Sequence, residues 1–518
     1  MKSNNQRLMN TLRNGFTGVI SQFFIILIGF VLRAIFIKTL GQEYLGLNGL
    51  FTDILSILSV TELGIGSTIT FSLYKPLYEE DYKTVNSLMH IFKRAYRLIG
   101  SVILVVSIAL LPFIQIFIKD FSLDLNQIRI FFMLFSINTV LSYFLGYNRI
   151  IFFAKQKNYM VLWIDFIFKL ILSISQIYLL IVYKNFILHI SVMILYTLIT
   201  NLIIHRLALN DNPYLKNKPD KLEPIVKDKL IHSLKYLSIA TLIGVGVLGT
   251  DRIIISSFIG ISVLGLYSNY SMIIQQVTTL FTTLLNGVTA SLGDLVAEGE
   301  TEKIHKVFKI YNFGYFIIAS FTTVSFYTLL TPFITDIWLS SEYAISSLIV
   351  GVVVANSYMF FLRQPVWQFQ NTAGVFKEYL PFSILEFVIN LVISIYGAMN
   401  YGIIGVFFGS FFAYIVSWSG QSYKLHKHVF RKPVFEYYQT QVLYIVIVLI
   451  ELGIVIFINT VVKLENNYLA FGLRMIWAAF IPNGINLVFF RKNPEFVYLK
   501  ETLFKRFLKN SQSEPIVS

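Results

Sequence analysis

The sequence predicts an all-α polytopic membrane protein with about 14 transmembrane helices, and three observations predict this fold class. The chain is 56% hydrophobic and only 14% charged over 518 residues, too few charges to cover a soluble protein of this size. Apolar stretches of roughly 20 residues, long enough to cross a bilayer core of about 30 Å, recur along its length. A sequence motif also occurs once in each half of the chain, which indicates an internal duplication.

Fourteen apolar stretches are the predicted spans. The first is too long for the apolar core of a signal peptide and lacks a small-residue cleavage site, so it is counted as a span. In chain order they lie near 15–37, 45–73, 98–118, 128–152, 159–182, 186–205, 236–258, 263–292, 311–332, 344–369, 379–399, 402–423, 441–462 and 468–490.

The distribution of lysine and arginine predicts the orientation of these spans. With both termini in the cytoplasm, the cytoplasmic loops and tails hold about 32 of the 42 basic residues, as the positive-inside rule requires. The net charge of +14 therefore reflects topology and contact with anionic lipid, and no nucleic-acid partner is needed to explain it. The predicted location is the plasma membrane. The opposite loops hold only Lys38, Lys119, Arg129, Lys184 and Lys463.

The duplicated motif and a polar linker predict the domain organisation. Moving residues 252–273 back by 219 positions aligns them with 33–54, with identity at seven of 22 positions. Between the copies, the stretch at 206–235 is polar, basic and contains three prolines, which is typical of a cytoplasmic linker. Six helices per copy give two pseudo-symmetric lobes of the same orientation. The predicted divisions are an N-lobe at 1–207, the linker at 208–235, a C-lobe at 236–424, two extra helices at 425–490 and a cytoplasmic tail at 491–518.

Composition and loop length argue against several classes of function. The chain has no cysteine, which excludes disulfides and thiolate metal sites, and no cofactor or metal is expected. It contains no GxxxxGK[ST] phosphate loop, so ATP hydrolysis by this chain is not expected. The loops on the non-cytoplasmic side are too short for a catalytic domain.

Arg33 and Arg252 occupy equivalent positions of the repeat, each inside an apolar run. An arginine at mid-span costs roughly 2.5–3.5 kcal/mol on the insertion scale, so it requires a reason. The guanidinium group matches phosphate geometry through paired N–H donors, and two of them would suit a diphosphate. Alternatively, both residues lie near helix ends, where they can extend to the interface or form structural ion pairs.

Acidic and polar side chains within the spans are further candidates. Asp53, Glu62 and Asp251 are candidate ion-coupling residues, with structural pairing as the alternative; Asp251 is expected to pair with another helix, for example with Arg33. Asp165 and Lys169, four residues apart, predict a pair within one helix. Near Pro365, Arg363, Gln364 and Gln368 supply donors suited to sugar hydroxyls, although a kinked helix end has the same composition.

Residues 32–77 and 250–267 resemble the polysaccharide transport family of the multidrug/oligosaccharidyl-lipid/polysaccharide (MOP) exporter superfamily, most of all its Wzx-type flippases. The family pattern is an arginine, then LG, an aromatic residue and glycine, then an acidic residue before LG. One departure is Leu45, which separates the aromatic residue from the glycine. The matches are Arg33, Leu40-Gly41, Tyr44, Gly46 and Glu62-Leu63-Gly64 in the first half, and Asp251-Arg252, Gly260 and Leu264 to Tyr267 in the second.

The resemblance implies a V-shaped pair of six-helix lobes with two additional helices. It implies a flippase that moves undecaprenyl-diphosphate-linked oligosaccharide repeat units across the cytoplasmic membrane by alternating access, for surface or capsular polysaccharide. Expected partners are this lipid-linked substrate, membrane lipid, a polysaccharide polymerase and glycosyltransferases. Two alternatives are a drug/cation antiporter of the same superfamily and a membrane glycosyltransferase or polymerase. The matched cationic pair argues against the first, and the short external loops against the second, so a transporter is predicted rather than an enzyme.

Overall fold

In the computed structural model, about 90% of the described residues are helical, which confirms the predicted all-α membrane fold. The structure describes residues 2–59, 65–219, 250–286 and 300–501, together with Leu292 and Leu295, and these residues include no β-strand. The helices are α1 (Lys2–Leu40), α2 (Gln42–Leu58), α3 (Ile65–Tyr78), α4 (Tyr82–Leu110), α5 (Leu125–Gly146), α6 (Arg149–Ala154), α7 (Asn158–Tyr183), α8 (Phe186–Asp211), α9 (Ile261–Asn286), α10 (Thr301–Pro332), α11 (Ser347–Ala373), α12 (Phe376–Tyr401), α13 (Ile403–Leu425), α14 (Phe435–Val461) and α15 (Asn467–Phe490).

Eleven helices of the described residues are long and apolar enough to cross a membrane. Each coincides with one of the predicted spans, so the chain is a multi-pass membrane protein. The other three predicted spans, at 45–73, 236–258 and 263–292, include residues outside the described ranges. The count of 14 spans therefore stays a prediction. The candidate ion-coupling residue Glu62 also lies outside the described residues.

Side-chain caps explain where several of these helices begin. The Asp124 carboxylate accepts the backbone N–H groups of Asn126 and Gln127 at the start of α5, at 3.0 and 3.3 Å. Asp81, Asn185, Ser346 and Asn466 cap α4, α8, α11 and α15 in the same way. Such a cap stabilises a helix by typically about 1 kcal/mol, because it satisfies N–H groups that have no partner within the helix.

The chain divides into two compact units, Met1–Ser268 and Asn269–Ser518. In the first, α1 packs on α7 and α5 packs on α8. Its core includes Phe51, which makes edge contacts with Phe132 and Phe135 at ring distances of 5.3 and 5.7 Å. The predicted lobe boundaries stay predictions, because most of the linker lies outside the described residues.

In the second unit, α12 and α13 form a tight antiparallel pair. The turn between them is at Gly402, whose φ of 64° is one that side chains rarely adopt. Gly397 and Gly405 face each other so closely that a Cβ atom on either would overlap the backbone of the other. Small residues permit this close approach between helices in a membrane. The helix α10 packs on α11, α14 and α15, so it is the centre of this unit.

Candidate functional site

Two glycines at equivalent positions of the repeat turn the chain into α2 and α9. Gly41 has φ 92° and Gly260 has φ 154°, and both angles lie in a region that is accessible mainly to glycine. The helices begin at the next residues, Gln42 and Ile261. The two copies of the motif therefore form the same corner.

Behind these corners, the first turns of α2 and α9 cross in backbone contact. A Cβ atom added to Gly46 would overlap the carbonyl oxygen of Ile261, and one added to Gly265 would overlap that of Gln42. The offset of 219 residues converts the first contact into the second. The crossing therefore has a local twofold symmetry, and it requires glycine at both positions.

The segment between α4 and α5 holds both corners from one side. The Lys119 N–H donates to the Ser256 carbonyl at 2.9 Å, and the Lys119 carbonyl accepts the Ile261 N–H at 3.1 Å. Ser122 donates its N–H and its hydroxyl to the Glu43 carboxylate at 2.7 and 2.6 Å. These bonds tie the start of α2 and the start of α9 to the same loop.

Arg252 lies in a short helical segment that ends in the π-helical turn Ile255–Ile259 before Gly260. Its Nη1 group donates to the two carboxylate oxygens of Asp53 on α2, at 3.2 and 3.4 Å. The two side chains are 27% and 13% exposed, so the ion pair is largely shielded from solvent.

Arg33 and Tyr267 complete what we call the paired-arginine cluster, with Arg252, Asp53 and Asp251. Arg33 on α1 is near enough to Arg252 for their charges to repel each other. Tyr267 on α9 interacts electrostatically with Arg252, Asp53 and Asp251. The structure thus brings four of the predicted site residues together within the first unit.

The cluster is formally neutral, because two arginines face two aspartates. Sequence reasoning expected Asp251 to find a partner on another helix, but it did not identify Asp53 as the partner of Arg252. Asp53 has no acidic counterpart in the second copy of the repeat, where Met272 occupies the equivalent position. The pairing with Arg252 is therefore an asymmetric feature of an otherwise symmetric arrangement.

The second predicted group lies in the other unit and is held by other side chains. The two terminal nitrogens of Arg363 donate to the Glu386 carboxylate at 2.8 and 3.1 Å. The guanidinium also lies over the Tyr414 ring, 4.5 Å from its centroid. A bidentate ion pair with an aromatic contact is a stable packing arrangement. It occupies both terminal nitrogens of Arg363, so fewer donors are left for sugar hydroxyls.

Gln364 and Gln368 follow Arg363 on α11, which continues through Pro365 as a helix. Gln368 is buried and donates to the Tyr315 hydroxyl at 2.9 Å, whereas Gln364 is half-buried. A role of these amides in binding sugar stays a prediction.

The expected pair of Asp165 with Lys169 is wrong. Asp165 instead accepts both terminal nitrogens of Arg149, at 2.6 and 2.9 Å. Arg149 lies on α6, and its planar group can bind both carboxylate oxygens at once. This geometry is stronger than a pair of one lysine and one carboxylate along a helix.

Sequence reasoning missed Glu451 on α14. Its side chain is fully buried, and the Ser320 hydroxyl on α10 donates to it at 2.7 Å. A single acidic residue in the middle of the apolar run YIVIVLIELGIVIFI was the available signal, and it lies in the two extra helices outside the repeat.

With this geometry established, comparison with solved structures shows that the chain has the fold of the MOP superfamily. It superposes on lipid II flippase MurJ in an inward closed conformation with a TM-score of 0.63 and 15% identity, over 91% of this chain and 98% of that one. It superposes on an inward-facing MATE multidrug transporter with a TM-score of 0.61 and 13% identity, over 78% and 94% of the two chains.

A third similar structure is a MOP superfamily transporter from Pyrococcus furiosus, described as having a binding pocket of reverse polarity. Its TM-score is 0.53 at 14% identity, over 82% of this chain and 96% of that one. No family profile matches the sequence. No curated protein matches it either.

Proposed function

We propose that this chain is a flippase for undecaprenyl-diphosphate-linked oligosaccharide repeat units, used in the assembly of surface or capsular polysaccharide. The observation that carries the proposal is the meeting of Arg33 and Arg252 in one cluster, on a fold shared with a lipid II flippase. Each arginine comes from the same position of a repeated motif, which suits a ligand with two similar anionic groups.

The chemistry of the cluster supports a diphosphate ligand. Guanidinium groups bind phosphate oxygens through two parallel N–H donors, and this interaction is strongest where water is excluded. Asp53 occupies Arg252 through two hydrogen bonds. A diphosphate would therefore bind by taking Arg252 from Asp53, so that one anion replaces another and the two positive charges stay compensated.

The membrane potential can give the transport its direction. Moving two negative charges outward across an inside-negative potential of 100 mV releases about 4.6 kcal/mol, which is twice the value of roughly 2.3 for one charge. Exchange with protons or sodium ions through Asp53, Asp251 or Glu62 is the alternative energy source. A polymerase and glycosyltransferases are the proposed partners, since they would consume and supply the transported lipid.

A drug/cation antiporter is the competing function, because a MATE transporter shares the fold. An organic cation requires an excess of negative charge in its site. The paired-arginine cluster has none, since its two aspartates only balance its two arginines. The charge balance of the cluster therefore argues against an organic cation as the substrate.

Reconstitution of the purified chain in liposomes tests this function. A fluorescent polyprenyl-diphosphate oligosaccharide is placed in one leaflet, and the flipped fraction is measured by quenching from outside. We expect Arg33→Gln and Arg252→Gln each to reduce the rate at least about tenfold, the loss that corresponds to about 1.4 kcal/mol. Arg97→Gln, at an exposed arginine of α4, is the matched control and should retain the rate. Normal flipping by both cluster variants would contradict the proposed role of the arginines.

A further inference from the structure

Three helices of the second unit meet at a buried polar chain that the transport scheme above does not use. The Asn486 amide on α15 donates to the Ser320 hydroxyl on α10 at 2.9 Å. Ser320 in turn donates to the Glu451 carboxyl on α14 at 2.7 Å. Glu451 and Ser320 are fully buried, and Asn486 is 3% exposed. We call these three residues the Glu451 cluster.

The position of Glu451 along α14 places it near the middle of the membrane. It lies ten residues from the helix end at Val461, and thus about 15 Å from it at 1.5 Å per residue. This distance is half the thickness of a bilayer core of about 30 Å. Ser320 is likewise close to the centre of the predicted span 311–332. Glu451 is therefore as far from water on either side as a span allows.

The two carboxyl oxygens of Glu451 differ in their hydrogen bonding. Oε2 accepts from Ser320, whereas Oε1 is buried and has no hydrogen-bond partner among the described residues. None of the ion pairs found in the described part of the chain includes Glu451. An ionised carboxylate with a single donor at this depth is strongly unfavourable. A proton on Oε1 removes the charge and leaves the observed hydrogen bonds unchanged.

The groups around Glu451 do not supply a compensating charge. From α11, the buried Tyr358 hydroxyl is within electrostatic range of the carboxyl, and it also has no hydrogen-bond partner among the described residues. From α10 and α15, the polar contacts are Ser320 and Asn486, which are uncharged. On α14 itself, Tyr444 is the nearest titratable residue toward the cytoplasmic end. The carboxyl is thus the one ionisable acid of the cluster.

We propose that Glu451 is a proton-binding site that couples the transport cycle to the proton gradient. This inference rests on the proposed transport function and names its coupling ion. In the state described here Glu451 is protonated and closed off from water. In another state of the cycle, the proton leaves Oε1 to water and the Ser320 hydroxyl stabilises the carboxylate.

A proton suits this site better than a metal cation. The Ser320 hydroxyl donates its hydrogen to Glu451, and the Asn486 N–H group donates to Ser320. Donor hydrogens carry partial positive charge, so neither group offers a lone pair to a cation at the Glu451 carboxyl. The oxygen atoms left over are Glu451 Oε1, Asn486 Oδ1 and the Tyr358 hydroxyl. Three oxygens are few for a bound metal ion, whereas a proton needs only one.

Infrared difference spectroscopy tests the protonation itself and needs no transport substrate. The full chain in liposomes is expected to show the C=O stretch of a protonated carboxylic acid at neutral pH. Glu451→Gln should remove this band. Glu436→Gln, at an exposed carboxylate of the same helix, is the matched control and should retain it. Absence of the band in the wild-type chain would overturn the proposal.

Transport measurements then test coupling. With external acidification, the wild-type accumulation ratio should rise about tenfold per unit of pH difference if one proton is exchanged per cycle, because one pH unit is a tenfold ratio of proton activity. Glu451→Gln, which resembles the protonated acid in shape, should insert normally and lose this dependence. Equal pH dependence in both proteins, or dependence on sodium alone, would overturn the proton site while leaving the flippase in place. An infrared band without any flipping would overturn the flippase and not the protonation.

Discussion

At the scale of single residues, Asp53 binds the Arg252 guanidinium that the proposed diphosphate ligand would have to take over. The pair is mostly shielded from water, so its attraction exceeds that of an exposed pair. In the proposed mechanism, a phosphate group binds Arg252 only when Asp53 releases it. On this proposal, Asp53 lowers the affinity of the empty site for anions and compensates the charge of the arginine until substrate binds.

The variant Asp53→Asn tests this competition. We expect inorganic pyrophosphate to bind this variant about three- to tenfold more tightly than the wild type, at 1.4 kcal/mol per factor of ten, because the competing charge is gone. The measurement is the rise in melting temperature of the detergent-solubilised protein with pyrophosphate concentration. Asp165→Asn breaks the Arg149 pair in the same unit and should leave pyrophosphate binding unchanged. Equal binding by the Asp53 variant and the wild type would contradict the competition.

At the scale of elements, the crossing of α2 and α9 has the properties of a fixed contact. Its two glycine–carbonyl contacts join backbone to backbone, and Gly49 approaches the Ser268 hydroxyl so that an added Cβ would lie 3.4 Å away. Residues 49 and 268 are again equivalent in the repeat. The crossing thus has two contacts that the repeat converts into each other and one between equivalent positions, and a loop containing Lys119 and Ser122 secures the corners.

Replacing either glycine of the crossing by alanine should therefore be equally harmful. Gly46→Ala and Gly265→Ala are each expected to destabilise the fold by about 1–3 kcal/mol, the range for overpacked sites. Gly29→Ala on α1 is the matched control, since its Cβ would meet no atom within 4 Å and it gains up to about 1 kcal/mol of helix propensity. Thermal unfolding in detergent gives the comparison. A large difference between the two crossing variants would contradict the local twofold symmetry.

How much of the fold and of the candidate site the sequence predicts depends on how far apart the interacting residues lie along the chain. The spans follow from local hydropathy, and the repeat follows from an ungapped match between two short stretches. Both are therefore predictable from the sequence. The pairing of Arg252 with Asp53 joins positions 199 residues apart, which no local pattern specifies. The spacing of Asp165 and Lys169 predicts a pair along one helix, whereas Arg149 reaches Asp165 from another helix. Glu451 was missed because it stands alone, without a repeated counterpart or a helical neighbour to mark it.

At the scale of the whole molecule, the charge asymmetry of the loops predicts one orientation in the membrane. Basic residues concentrate on the side assigned to the cytoplasm, where anionic lipids attract them. The orientation matters for the proposed function, because an inside-negative potential drives negative charge outward only if the substrate enters from the cytoplasmic leaflet.

The absence of cysteine makes this orientation easy to test. Ser341→Cys places a single thiol in the exposed turn Ser341–Tyr343, and Asn217→Cys places one at an exposed position after α8. We expect a membrane-impermeant maleimide to label the Ser341→Cys variant in intact cells and the Asn217→Cys variant only after permeabilisation. The cysteine-free parent is the control for background labelling. The reverse labelling pattern would contradict both the orientation and the direction of potential-driven transport.

The glycine crossing also limits how the first unit can change shape. Sliding of α2 along α9 would drive a carbonyl oxygen into a neighbouring backbone, and no side-chain rotamer can relieve that collision. Rotation about the point of closest approach, by contrast, drives no backbone atoms into collision. We therefore expect the crossing to act as a pivot within the first unit rather than as a sliding contact.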